Sequence, residues 1–96
     1  MKVITARIAD EHFKDLKIIE KEEQADRAEV IRRLLDDAIK RWKIKKALDL
    51  LREHKVTLRK AASVAGISYI EILDLASKHK IDIGYSLEEL ERNTRN

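Results

Sequence analysis

Residues 26–42 read DRAEVIRRLLDDAIKRW, with Ile31, Leu34, Leu35, Ala38, Ile39 and Trp42 at i, i+3, i+4, i+7, i+8 and i+11. Apolar side chains at that spacing gather on one stripe of an α-helix, and this is the strongest helical stripe in the chain. Asp26, followed three residues later by Glu29, is the acidic analogue of a capping box and marks where the helix begins. On the outer face Glu29 stands four residues before Arg33, and Asp36 four before Lys40, the spacing of exposed helical ion pairs.

Working upstream, the polar segment KEEQAD (21–26) separates this helix from one that Asp10 opens, in which Phe13, Leu16 and Ile19 recur at spacing three. Ahead of that, residues 2–8, KVITARI, alternate: Ile4, Ala6 and Ile8 point one way, and Val3, Thr5 and Arg7 the other. Alternation predicts a short β-strand. A lone strand leaves its N–H and C=O rows unpaired, and the simplest remedy is pairing with the same strand of a second copy. The resulting antiparallel ribbon would set Ile4, Ala6 and Ile8 against the helices. With Phe13, Leu16 and the stripe from Ile31 to Trp42 they would form the core of a homodimer. Val3, Thr5 and Arg7 would be doubled on the outside, with Lys2 at the start of the strand as a further DNA contact. A two-stranded ribbon fits the DNA major groove, where Arg pairs with guanine O6 and N7 and Thr offers a hydroxyl and a methyl. The helix start at Asp26, Arg27 and Ala28 would present free backbone N–H groups to a phosphate.

In these features residues 1–43 resemble the ribbon-helix-helix repressors, through VITARIADEHFKDLKII for strand and first helix and DRAEVIRRLLDDAIKRW for the second. The resemblance implies an obligate dimer, or a tetramer on DNA, that places Val3, Thr5 and Arg7 in the groove of an operator. The loop departs from the family pattern, with Gln24-Ala25 where glycine is common and Asp26 where Ser or Thr is common.

Downstream of Trp42 the stripe changes phase. Ile44, Ala47, Leu48 and Leu51 form a new i, i+3, i+4, i+7 set, and no Gly or Pro intervenes. The buried face therefore rotates at a domain boundary near 42–46 without a flexible linker, giving domains at 1–43 and 44–96. Helix starts follow at Thr57 and at Ser68 with Glu71. Residues 58–77, LRKAASVAGISYIEILDLAS, have helix-turn-helix spacing, with Ala62 at the crossing, Gly66 in the turn and Ile67, Ile72 and Leu75 inward. The second helix carries Glu71 and Asp74 where a DNA-reading helix carries Arg, Asn or Gln, so packing is the better reading of this module. Residues 80–85, KIDIGY, read as extended, and Ser86 with Glu89 opens a short acidic helix.

Residues 47–91, with their Ala-Ala…Ala-Gly turn unit, Ile-x-Ile-x-Tyr strand and acidic Leu-rich end, resemble a family of small prokaryotic antitoxins. The resemblance implies a ribonuclease-like toxin, often of the PIN-domain type, as partner. Ile81, Ile83, Tyr85, Leu87 and Leu90 would be its anchors, with Glu88, Glu89 and Glu91 opposite a basic or metal-lined cleft. Alternatively, the same residues close the small domain's own core. Many relatives have Pro where this chain has Asp82.

Charge follows the same division. The 96 residues hold 21 Lys and Arg against 18 Asp and Glu, a net charge of only +3. Residues 1–48 carry 13 basic and 10 acidic side chains, while 49–96 carry eight of each. A basic first half suits an anionic partner, although solvated helix faces carry such runs as well. With 44% hydrophobic residues the composition is globular, and no apolar run approaches a membrane span. No secretory signal pattern is visible, so a cytoplasmic location is expected. Two Asn, one Gln and no Cys beside many Lys and Glu suit a heat-adapted, archaeal or thermophilic source.

Absent cysteine removes thiolate catalysis and cysteine metal sites. His12, His54 and His79 fit no ligand spacing, and no GxSxG, P-loop or GxGxxG occurs. No enzyme, cofactor or metal is expected. The fold expected is a mainly α ribbon-helix-helix dimer followed by a small helix-turn-helix-like module. The function expected is that of a DNA-binding repressor and antitoxin. The alternatives are an interaction adaptor that never touches DNA and a general basic chromatin-type protein.

Overall fold

The computed structural model of the chain describes residues 1–82, and their regular structure is entirely helical. Four helices follow in order: α1 (Asp10–Glu23), α2 (Arg27–Arg52), α3 (Leu58–Ala65) and α4 (Tyr69–Lys78). The chain divides into two compact units, Met1–Asp37 and Ala38–Asn96.

The strand expected at 2–8 is not formed, and with it the ribbon-helix-helix architecture falls. Residues 1–9 carry no regular structure, and all are exposed, so Ile4, Ala6 and Ile8 are not sorted from Val3, Thr5 and Arg7 by burial. A strand is defined by its ladder, and among the described residues no second strand offers N–H and C=O groups to this one. Alternation in sequence is necessary for a half-buried strand, but pairing makes one.

In the first unit α1 begins after Ala9, which has no capping side chain, and Asp10 and Glu11 stand near the positive end of its dipole. Asp26 caps α2 as its residue type predicts: the Glu29 backbone N–H donates to Asp26 Oδ1 at 2.8 Å. The turn between the helices is stapled by ion pairs. Arg33 reaches Glu29 at 2.6 Å and Glu23 at 3.2 Å, and Arg27 reaches Glu20 at 3.4 Å. The two Arg33 pairs are about half exposed on both sides, so each contributes at most about 1 kcal/mol. Val30 is the unit's one buried side chain among the described residues, and nothing on α1 is buried.

α2 runs through residues 42–46 without a break. In the second unit the out-of-phase set of α2 is the buried one. Ala47, Leu48 and Leu51 join Leu58, Ala61, Ala62 and Ala65 of α3, Ile72, Leu73 and Ala76 of α4, and Ile81 in one core. Five of these are alanines, whose small side chains allow short distances between helix axes. α3 has eight residues and α4 ten, too short to persist alone in water, so shared burial holds them. Thr57 and Ser68 cap them, accepting from the backbone N–H of Lys60 and Glu71 at 3.1 Å each.

Each helix ends on a residue or residue pair that turns left-handed: Gln24 (φ 51°), His54 (φ 58°), Gly66 (φ 70°) and Lys80 (φ 53°). After each, the next N–H donates to a carbonyl five residues back: Ala25 to Glu20, Lys55 to Leu50, Ile67 to Ala62 and Ile81 to Ala76, at 2.9–3.2 Å. This is the Schellman stop, which satisfies the last carbonyls of a helix. Only one of the four is glycine.

Candidate interfaces for nucleic acid and partners

The expected DNA-contacting residues fall into two groups. Lys2, Val3, Thr5 and Arg7 all lie on the exposed segment before α1. Asp26, Arg27 and Ala28 lie at the start of α2, also exposed. There the geometry changes the expected chemistry. Asp26 occupies the Glu29 N–H, removing one of the free donors a phosphate would use. Arg27 is held as well, between Glu20 and the face of Phe13, with its guanidinium carbon 4.7 Å from the ring centroid. Lys17 approaches the same ring at 4.8 Å. Phe13 thus serves as a platform for two cations, a use its apolar spacing did not announce.

The expected dimer-core residues are almost all left uncovered in one chain. Ile4, Ala6, Ile8, Phe13, Ile31, Leu34, Leu35, Ala38, Ile39 and Trp42 are exposed, and Leu16 is half-buried. Trp42 keeps 65% of its surface. Val30 is the residue that α2 buries in the first unit, and sequence reasoning missed it. Its signal is its place four residues before Leu34 and eight before Ala38, which extends the same stripe by one residue.

In the second unit the polar side of α4 presents Glu71 and Asp74, the latter 3.1 Å from Lys78, beside Ile70 with 71% of its surface exposed. The Arg59 guanidinium lies 5.6 Å from the Tyr69 ring centroid, beside the start of this helix. Of the expected partner anchors, Ile81 is buried in the core. Ile83, Tyr85, Leu87, Glu88 and Leu90 lie outside the described residues.

Sequence reasoning also missed an open groove of about 400 Å³ in this unit, lined by Arg41, Ile44, Lys45, Leu48, Asp49, Arg52 and His79. The first six lie along one face of α2, and His79 caps α4. Ile44 and Leu48 form an apolar floor; Arg41, Lys45 and Arg52 form cationic walls. Asp49 pairs with Arg52 at 3.2 Å. Among the described residues no group of His, Asp or Glu is placed to hold a metal ion, and no helix is long and apolar enough to cross a membrane.

A family model described as "Uncharacterised protein family (UPF0175)" matches residues 1–96, and the chain is a member of that family. No curated protein and no solved structure matches the chain.

Proposed function

We propose that the protein is a homodimeric, cytoplasmic DNA-binding regulator, the antitoxin of a toxin–antitoxin pair that represses its own operon. The observation that carries this reading is the uncovered stripe of α1 and α2. In the first unit Ile31, Leu34 and Leu35 stand exposed at helical spacing on α2, and a second copy of the same face is the simplest cover for such a stripe. A two-fold dimer doubles the exposed N-terminal segment, so that two copies of Lys2, Val3, Thr5 and Arg7 are presented to an operator. The excess of basic residues in the first half supports an anionic partner on that side.

The second unit has the opposite character. Glu71 and Asp74 on the open side of α4 repel phosphates, while exposed Ile70 on the same helix suits a protein surface. The likeness of residues 47–91 to small antitoxins supports a nuclease toxin, of the PIN type, as the partner on this side.

The test is a fluorescence-anisotropy titration of the full chain against duplex from upstream of its own gene, alongside a scrambled duplex. Tighter binding to the upstream duplex is expected, with affinity falling steeply as salt rises because phosphate neutralisation releases counterions. Arg7→Ala is expected to cost about 1–3 kcal/mol on the upstream duplex and to relax one base preference. Equal affinity for both duplexes overturns sequence-specific regulation, and no binding to either leaves the adaptor as the function.

A further inference from the structure

In the second unit, the groove on α2 and the open side of α4 carry opposite charge around apolar centres. The groove floor is Ile44, half-buried, and Leu48, with Arg41, Lys45 and Arg52 around them. Asp49, the single carboxylate of the lining, is turned to Arg52 at 3.2 Å. Among the described residues Arg41 and Lys45 enter no ion pair. On α4, Ile70 keeps 71% of its surface, and exposed Asp74 and Glu71 lie within about 100° of it around the helix. Asp74 is taken by Lys78 at 3.1 Å, while Glu71 enters no ion pair among the described residues. Arg59 is held over Tyr69, on the other flank of α4 from Glu71.

An exposed isoleucine alone is ordinary, and so is a cationic helix face. The two surfaces fit each other in charge and in spacing. The charges left over are a carboxylate on α4 and two cations on α2. Arg41 and Lys45, Ile44 and Leu48, and on α4 Ile70 and Asp74 are each four residues apart, about 6 Å along their helices. Rows of that spacing interdigitate in the commonest class of helix packing. We propose that the groove receives α4 of a second copy of this chain, Ile70 over Ile44 and Leu48, and Glu71 against Arg41 and Lys45.

A phosphate backbone would satisfy the cations but leave the apolar floor wet. An uncharged apolar helix would cover the floor and leave the cations desolvated without partners. The α4 face supplies both an apolar anchor and a carboxylate. Within one chain it cannot reach the groove, because Ile72, Leu73 and Ala76 hold the other side of α4 in the core. The contact joins two different patches, so it is heterologous: each copy lends α4 to one neighbour and its groove to another. One isoleucine and exposed charges make it weak and sensitive to salt. It does not involve the stripe of Ile31, Leu34 and Leu35, so it goes beyond the regulator reading and holds with or without that dimer, DNA or a nuclease. A nuclease bound on the open side of α4 would displace the second copy.

The test is NMR at low salt on mixtures of full-length chains, isotope in one set only. An isotope-labelled chain carrying Ile70→Lys with Glu71→Lys keeps its groove and loses its own α4 face; all substituted positions are exposed. Adding unlabelled wild-type chain is expected to shift its backbone amide resonances from Arg41 to Arg52 and at His79. Adding the unlabelled double variant is expected to leave them in place. A labelled chain carrying Arg41→Glu with Lys45→Glu is expected to ignore wild type and to respond at the same resonances to unlabelled Glu71→Lys chain. Groove resonances that stay in place on adding wild type overturn the proposal, as do shifts that the double variant produces equally. A reversed pair that fails to restore the response overturns it as well.

Discussion

Replacing Leu34 and Leu35 together by alanine tests the reading that the exposed stripe of α2 is a dimer face. The two side chains keep 44% and 54% of their surface exposed in one chain. Full burial of a leucine is worth about 1.5–3 kcal/mol, so covering what remains yields about 0.7–1.3 kcal/mol at Leu34 and about 0.8–1.6 kcal/mol at Leu35. A two-fold interface contains each residue twice, which brings the pair to about 3–6 kcal/mol per dimer. At about 1.4 kcal/mol per factor of ten, the dimer dissociation constant rises about 10²- to 10⁴-fold. Alanine retains its β-carbon, so the upper figure is a ceiling. It is also the best helix former, so α2 itself is left intact. Sedimentation equilibrium of the wild-type chain and of the variant over a range of concentrations measures the constant directly. A constant that does not move, or a wild-type chain that is monomeric at every concentration, refutes the reasoning.

Four further outcomes concern the fold. Gln24, His54 and Lys80 hold the left-handed position at helix ends, which costs a side-chain-bearing residue about 1–2 kcal/mol against about 0.4–1 kcal/mol for glycine's extra freedom when unfolded. Gln24→Gly is therefore expected to stabilise by about 0.5–1 kcal/mol, and Gly66→Ala to destabilise by about 1 kcal/mol, both read from urea midpoints. No atom lies within 4 Å of a β-carbon added at Gly66, so a larger loss there would point to a contact outside the turn. Ser68→Ala removes the acceptor of the Glu71 N–H and is expected to cost about 1 kcal/mol, seen as a lowered thermal midpoint. Ile72, with 0% of its surface exposed, is expected to lose about 2–5 kcal/mol as Ile72→Ala, measured by loss of helical circular dichroism in urea.

Much of the helical layout is a local matter and was legible. The starts of α2, α3 and α4 follow from Asp26, Thr57 and Ser68, because a short acceptor side chain meets an orphan N–H wherever a helix begins. Past the change of stripe between Trp42 and Ile44, Ala47, Leu48 and Leu51 enter the core, while Ile39 and Trp42 before it stay exposed. For the functional surface the residue types of the N-terminal segment were readable, but their arrangement was not. Residues 2–8 alternate as a strand does, yet a strand is a property of two segments, and among the described residues none pairs with this one.

What the tertiary structure decided are the features that depend on meetings between distant residues. Helix ends at Gln24, His54 and Lys80 carry no glycine to announce them; the returning chain imposes the left-handed turn, as when Ile81 is drawn into the core and its N–H onto Ala76. Phe13 becomes a seat for Arg27 and Lys17 only when α1 and the start of α2 fold together. The groove exists only because the end of α4 brings His79 to one face of α2. Sequence by itself thus determined where helices start and which stripes are apolar, since both are settled within a turn or two of the chain. Folding determined which stripe is covered, because burial depends on what arrives opposite.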